Sequence, residues 1–206
     1  MRVLLLQLDG KLPNIALMRI AAHHRGLGDS VELRRVSNPR SIERGLWDDF
    51  GRVYASLIFL WSRPLALRLL EVYPNAIIGG TGWDLSRTLE SVGIITKDQD
   101  YSDYPAYPHS IGFTQRGCRL KCSFCVVPKI EGAVRAENSI PVIWRGGSHP
   151  RNLCLLDNDF GGAPGWQANL HYIRENGFRV CFNQGLNARL LNEDLAAGIA
   201  KRSILR

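Results

Sequence analysis

Cys118, Cys122 and Cys125 are the residues whose type and spacing promise chemistry. They lie in the stretch Gly112 to Gly132, GFTQRGCRLKCSFCVVPKIEG, and are spaced C-x3-C-x2-C. Three thiols so close cannot all pair as disulfides. Thiolates are soft donors that suit zinc or an iron–sulfur cluster. On a [4Fe–4S] cube, three Cys leave one iron free for an outside ligand, and an open position is what separates a reactive metal site from a structural one. A zinc site would need a fourth ligand. The nearest His is His109, nine residues before Cys118, an unusual spacing for a Cys3His site. Buried structural thiols are the other alternative, but the flanking Arg116, Arg119, Lys121 and Lys129 describe a wet, electropositive loop.

The stretch resembles the radical S-adenosylmethionine (radical SAM) superfamily, whose cluster motif is C-x3-C-x-aromatic-C. Phe124 supplies the aromatic. The resemblance implies that Cys118, Cys122 and Cys125 each bind one iron of a [4Fe–4S] cluster. S-adenosyl-L-methionine would then bind the fourth iron and be cleaved reductively to start radical chemistry, methyl transfer being one such reaction. An electron donor such as flavodoxin or ferredoxin is implied, together with a small-molecule or RNA substrate. Val126-Val127-Pro128 and Gly132 also look like the tRNA methylthiotransferase branch. That branch carries three further Cys ahead of the motif, and residues 1–117 hold none.

The elements that must position this loop follow from the pattern along the chain. Arg2 to Leu8 is a continuous apolar run, as in a strand buried on both faces. Asn14 caps a predicted helix to about Arg25, with Ile15, Leu17, Met18, Ala21 and Ala22 as its apolar stripe and Gly26 and Gly28 at its end. His23 and His24 read as surface residues. Strands are expected at Val31 to Val36, Arg52 to Leu60, Asn75 to Ile78 and Ile94-Ile95. Helices are expected at Ser41 to Asp48, from Pro64 to Val72, and after a cap at Asp84. Alternating strands and helices predict a parallel sheet, with ligands beyond the strands' carboxyl ends. The loop Gly79-Gly80-Thr81-Gly82 lies there, where glycines let backbone N–H groups approach a phosphate or flat ring or simply turn the chain.

This half, through NIALMRIAAHHRGLGDSVEL and IIGGTGW, resembles the cobalamin-binding-like domain that precedes many radical SAM cores. Cobalamin is thereby implied as a second cofactor, held at Gly79, Gly80, Thr81 and Gly82. The family's Asp-x-His-x-x-Gly signature is absent, so the domain either holds cobalamin without a His ligand or keeps the fold alone.

The fold class expected is therefore α/β: a Rossmann-like sheet over residues 1–97, a Tyr-, Asp- and Pro-rich linker over 98–109, and a partial radical SAM (β/α) barrel over 110–206. In the second part, strands are expected at Ser110 to Thr114, Asn152 to Leu156, Arg179 to Phe182 and Ser203 to Leu205. Helices are expected from Gly165 to Glu175 and from Asn192 to Lys201. Radical SAM cores hold the methionine amino group with a Gly-Gly-Glu motif after the second strand. Here Asp157-Asn158-Asp159-Phe160 precede Gly161-Gly162, and Ala163 replaces Glu. Asp157 and Asn158 are the candidates for that role, or an Asx turn before the next helix. Asn183, Gln184 and Arg189 are candidates for cofactor or substrate contact, Gln115 and Arg116 for contact to cluster or cofactor. Cys154 and Cys181 read as buried apolar residues. About three βα units stand where the superfamily has six, so either the chain is a fragment, a partner or second copy completes the barrel, or this is a minimal version of the core.

Composition agrees with a globular chain of 206 residues, 45% apolar. No apolar run is long enough to span a bilayer, and MRVLLLQLDGK lacks a cleavage site for a signal peptide. Five Cys, three of them clustered, argue for a reducing compartment, here the cytoplasm. The net charge of +7 suits anionic partners, and equally a solvated basic surface.

Overall fold

The first strand is β1 (Arg2–Gln7), in which Val3 to Gln7 are buried. A four-stranded, all-parallel sheet forms around it with β2 (Ser30–Arg35), β3 (Arg52–Ser56) and β4 (Ile77–Gly79), in the order β2-β1-β3-β4. The computed structural model describes residues 1–200 except 37, 121, 163 and 191, without the side chains at 188, 194, 198 and 200. The chain divides into two units, 1–107 and 108–206.

In the first unit α1 (Ile15–Gly26) and α2 (Arg63–Val72) make the crossovers. Asn14 caps α1 by accepting the Leu17 N–H at 3.2 Å, and its Nδ2 donates to Ser56 Oγ at 2.9 Å. The buried stripe of α1 is Leu17, Met18, Ile20, Ala21 and His24. His24 is therefore a core residue, not a surface one. It lies one turn beyond Ile20 and Ala21 on the same face, with Nδ1 2.7 Å from Asp29 Oδ2 and Nε2 3.2 Å from the Tyr54 hydroxyl.

Four expected elements fold differently. Ser41 to Asp48 is not a helix: a single turn, Pro39–Ser41, precedes irregular chain. The Asp48 carboxylate draws the segment inward, accepting from Arg34, the Gly45 N–H and the Tyr73 hydroxyl at 2.8–3.0 Å. Gly45 in mid-segment disfavours a helix as well. Strand β3 stops at Ser56, because the Asp9 carboxylate takes the Ile58 and Phe59 N–H groups at 2.8 and 2.9 Å. Asp84 caps only a turn, through Ser86, and no strand forms at Ile94-Ile95: Ile94 enters the core as a single side chain while Ile95 is exposed.

The segment from Asp100 to Tyr104 is built into this unit. Arg25 pairs with Asp100 and Asp103 at 2.6 and 2.9 Å, and the Tyr104 hydroxyl donates to Gln7 Oε1 at 2.9 Å.

The second unit holds a three-stranded parallel sheet, β5 (Ser110–Gly112), β8 (Asn152–Leu155) and β9 (Arg179–Phe182), in the order β5-β8-β9. Between β5 and β8 come the two-residue strands β6 (Gln115–Arg116) and β7 (Arg135–Ala136), which pair antiparallel, and the short helices α3 (Val127–Ile130) and α4 (Ile140–Ile143). Helix α5 (Trp166–Glu175) follows β8, and α6 (Glu193–Ala200) follows β9. Leu153, Leu155, Phe160, Ile173, Phe178 and Val180 centre the core. Cys154 is buried as expected, whereas Cys181 is only half-buried. The strand expected at Ser203 to Leu205 lies outside the described residues, as do Lys121, Ala163, Lys201 and Arg202. Among the described residues no helix is long and apolar enough to cross a membrane.

Candidate metal centre

The cysteine loop leaves the sheet beyond the carboxyl end of β5, and its neck is the β6–β7 pair. Strand β5 ends at Gly112, before the expected Thr114, because the next residues turn toward Asp157. The Asp157 carboxylate accepts the Thr114 N–H at 2.7 Å, the Thr114 hydroxyl, and the Gln115 N–H at 3.2 Å. Burial is the main cause that raises the Asp157 pKa, to about 6, against the lowering by those bonds. Asp157, chosen as a cofactor ligand, is thus a latch between the ends of β5 and β8.

Glu131 closes the neck. Its Oε2 accepts the Gly117 N–H at 2.7 Å and Asn158 Nδ2 at 3.1 Å, and its Oε1 lies 3.2 Å from the Arg116 guanidinium. The Arg116 guanidinium also lies over the Phe113 ring, 4.1 Å from its centroid. Gly117 has φ +79°, and a Cβ there would collide with the backbone of Gly132 and Ala133, so the neck admits only glycine at that position. A second tie joins the loop to β8: Arg119 Nε donates to Asp159 Oδ2 at 2.8 Å. Gly162 packs so tightly on this pair that a Cβ would overlap the Asp159 carboxylate.

All three cysteines are free thiols; Cys118 and Cys125 are half-buried and Cys122 is exposed. The Leu120 N–H donates to Cys118 Sγ at 3.4 Å. Burial pushes the Cys118 thiol pKa up; the Leu120 N–H opposes this, and nearby Asp159, Cys125 and Cys122 raise it further. The Cys125 N–H bonds the Cys122 carbonyl at 3.0 Å, one turn ahead of α3. Phe124 stands 92% exposed, and Val126 is exposed beside it, so neither covers the thiols.

Among the described residues no three His, Cys, Asp or Glu side chains stand close enough to hold one metal ion. The donor set itself fits an iron–sulfur cluster: three free thiols on one tethered loop, one of them accepting a backbone N–H as cluster sulfurs do. Among the described residues, two buried side chains beside the loop carry polar atoms without a partner. Gln115 is 1% exposed with neither amide atom bonded, and Asp159, 0% exposed, leaves Oδ1 unbonded.

Of the remaining candidates, Asn158 joins the neck and the others are bonded elsewhere in their own unit or exposed. Asn158 is engaged by Glu131. Asn183 and Gln184 are exposed at the turn after β9, where the Asn183 N–H bonds the Leu155 carbonyl at 2.9 Å, and Arg189 is exposed further on. Gly79, Gly80, Thr81 and Gly82 lie in the first unit, and several of their polar groups bond within it. The Gly82 N–H bonds the Leu57 carbonyl at 3.2 Å, the Thr81 hydroxyl bonds the Ile58 carbonyl at 2.8 Å, and the Trp83 and Asp84 N–H groups bond the Gly80 carbonyl. A Cβ at Gly80 or Gly82 would strike the backbone of Leu57 or Phe59. Close packing of two backbones explains these glycines.

Glu131, Thr114 and Asp159 were not singled out from the sequence. The available signal was Glu131 as an acid in a loop otherwise bearing Arg116, Arg119, Lys121, Lys129 and Arg135. In comparisons with known proteins, the chain matches no family model and no curated sequence.

Proposed function

We propose that this chain is a radical SAM enzyme whose second unit holds a [4Fe–4S] cluster through Cys118, Cys122 and Cys125. The observation that carries the reading is the C-x3-C-x2-C spacing, with Phe124, on a loop beyond the first strand of a parallel sheet. In α/β units of this kind chemistry sits at the strands' carboxyl ends. The sheet β5-β8-β9 is read as the first part of a (β/α) barrel. When bound, the cluster would supply one electron for reductive cleavage of S-adenosyl-L-methionine, replenished by a donor such as flavodoxin or ferredoxin in a reducing cytoplasm.

The chain's own residues have distinct tasks in this reading. The three thiols lose their protons to bind iron, and the Leu120 N–H stabilises the Cys118 sulfur. Gln115, a buried amide with no partner, is assigned to hydrogen-bond the cofactor; unmet polar groups are costly unless a ligand meets them. Asp157 and Asn158 hold the loop and leave cofactor contact to Gln115. Cobalamin is not part of the proposal, because the Gly82 N–H and the Thr81 hydroxyl are engaged within the first unit and Gly80 and Gly82 pack against its backbone.

The test is iron and sulfide content after anaerobic reconstitution. The reading expects about four of each per chain, lost in Cys118→Ala, Cys122→Ala and Cys125→Ala. One zinc per chain, or a cluster surviving in Cys122→Ala, would overturn it.

A further inference from the structure

We propose that Glu131 is a positioning residue that holds the neck of the cysteine loop closed and so shelters Cys118 before any metal arrives; its purpose rests on the iron–sulfur reading. Three contacts carry the inference. Glu131 Oε2 meets the Gly117 N–H at the start of the loop, Oε1 meets Arg116 on the neck, and Oε2 also meets Asn158 beyond β8. One carboxylate thus joins both ends of the loop and fixes them to the sheet. Both of its oxygens are engaged, so Glu131 is a brace and not a further metal ligand.

The surroundings make the brace hard to replace. Gly117 lacks room for a side chain, which keeps its N–H directed at Glu131. The Glu131 side chain is largely buried against the Arg116 guanidinium, and hydrogen bonds to a charged acceptor are stronger than neutral ones. The Arg119–Asp159 pair is a separate tie further round the loop. Without the Glu131 carboxylate the neck keeps its two-residue strand pair and the bonds of the Glu137 N–H to the Thr114 carbonyl and of Asn138 Nδ2 to the Phe113 carbonyl, but loses the tie from Gly117 and Arg116 to Asn158, and local opening becomes easier.

The experiment measures alkylation of the full-length, reduced, metal-free chain by iodoacetamide, read by mass spectrometry at each cysteine. Glu131→Ala is expected to speed modification of Cys118 about tenfold, the scale of losing bonds to a charged group. Cys122, already exposed, should change less than about twofold, and Cys154, buried in β8, should stay protected. Glu131→Gln keeps one acceptor oxygen and should fall between wild type and Glu131→Ala. An unchanged Cys118 rate overturns the proposal, and so does a joint rise at Cys118 and Cys154, which would mean the unit had simply unfolded. Reconstitution of the wild type runs beside it. A wild type that takes up no iron and sulfide refutes the iron–sulfur reading, while the alkylation rates still decide the role of Glu131.

Discussion

Gln7 and Gln115 occupy corresponding places in the two units, just beyond or at the end of the first strand of a parallel sheet, and both are buried, at 2% and 1% exposure. Their amides are treated in opposite ways. Gln7 Nε2 donates to the carbonyls of Asp9, Gly10 and Leu12 at 2.9–3.1 Å, and its Oε1 accepts from Tyr104 and Arg35. Gln115 bonds nothing through its amide. At the carboxyl end of the first sheet the Gln7 amide is bonded at both of its atoms, and the glycine loop packs backbone on backbone. The corresponding end of the second unit retains the cost of unmet polar groups beside three free thiols. Charge divides the same way: residues 1–107 carry 13 basic and 12 acidic residues, and residues 108–206 carry 13 and 7. Buried polar groups without partners belong where a ligand supplies the missing bonds.

The comparison can be broken by mutation. Gln7→Leu should cost the most, about 3 kcal/mol, because three carbonyls, a phenol and a guanidinium lose their partner. Chemical denaturation of the purified chain checks this.

Asp157→Asn should show a smaller, pH-dependent effect. The folded-state pKa of about 6 lies above the ordinary carboxylate value of 3.8. The native state therefore binds more protons than the unfolded state between those pH values, and its stability falls as pH rises through that window. Well below about pH 4 both states are protonated, so ionisation of this carboxyl no longer lowers the stability. The advantage of Asp157→Asn over wild type should grow from pH 4 to pH 7 by on the order of 2 kcal/mol. A flat difference across that range would contradict the burial argument.

Gln115→Leu should change stability least, within about 1 kcal/mol, since it removes two atoms that bond nothing. Its effect should appear instead as weaker binding of S-adenosyl-L-methionine to the reconstituted chain, about tenfold. If Gln115→Leu destabilises as much as Gln7→Leu, the contrast between the two strand ends is lost.

Much of the architecture was legible because it depends on local pattern. The apolar run of β1, the Asn14 cap, Pro64 in the first turn of α2 and the bounds of β9 are set by neighbours in sequence. The departures came from long-range polar ties. Asp48 pulls its segment out of a helix to reach Arg34 and Tyr73, and Asp9 ends β3 from 49 and 50 residues away. His24 looked exposed because histidine usually is, yet helical spacing places it on the buried face. At the cysteine loop the thiols could be read from spacing alone. Glu131 could not, since its meaning depends on Gly117 and Asn158, which are 14 and 27 residues distant. Asp157 was read as a cofactor residue because a strand end was its only visible context; the contacts that occupy it come from Thr114 and Gln115 on another strand's exit.

The central claim is that the second unit supports reductive cleavage of S-adenosyl-L-methionine, and the most direct test is the product. The chain is reconstituted anaerobically with iron and sulfide, then given S-adenosyl-L-methionine and dithionite, and 5′-deoxyadenosine is measured. The account predicts that it forms with the wild type and not with Cys122→Ala. A fully assembled four-iron cluster that yields no 5′-deoxyadenosine would contradict it.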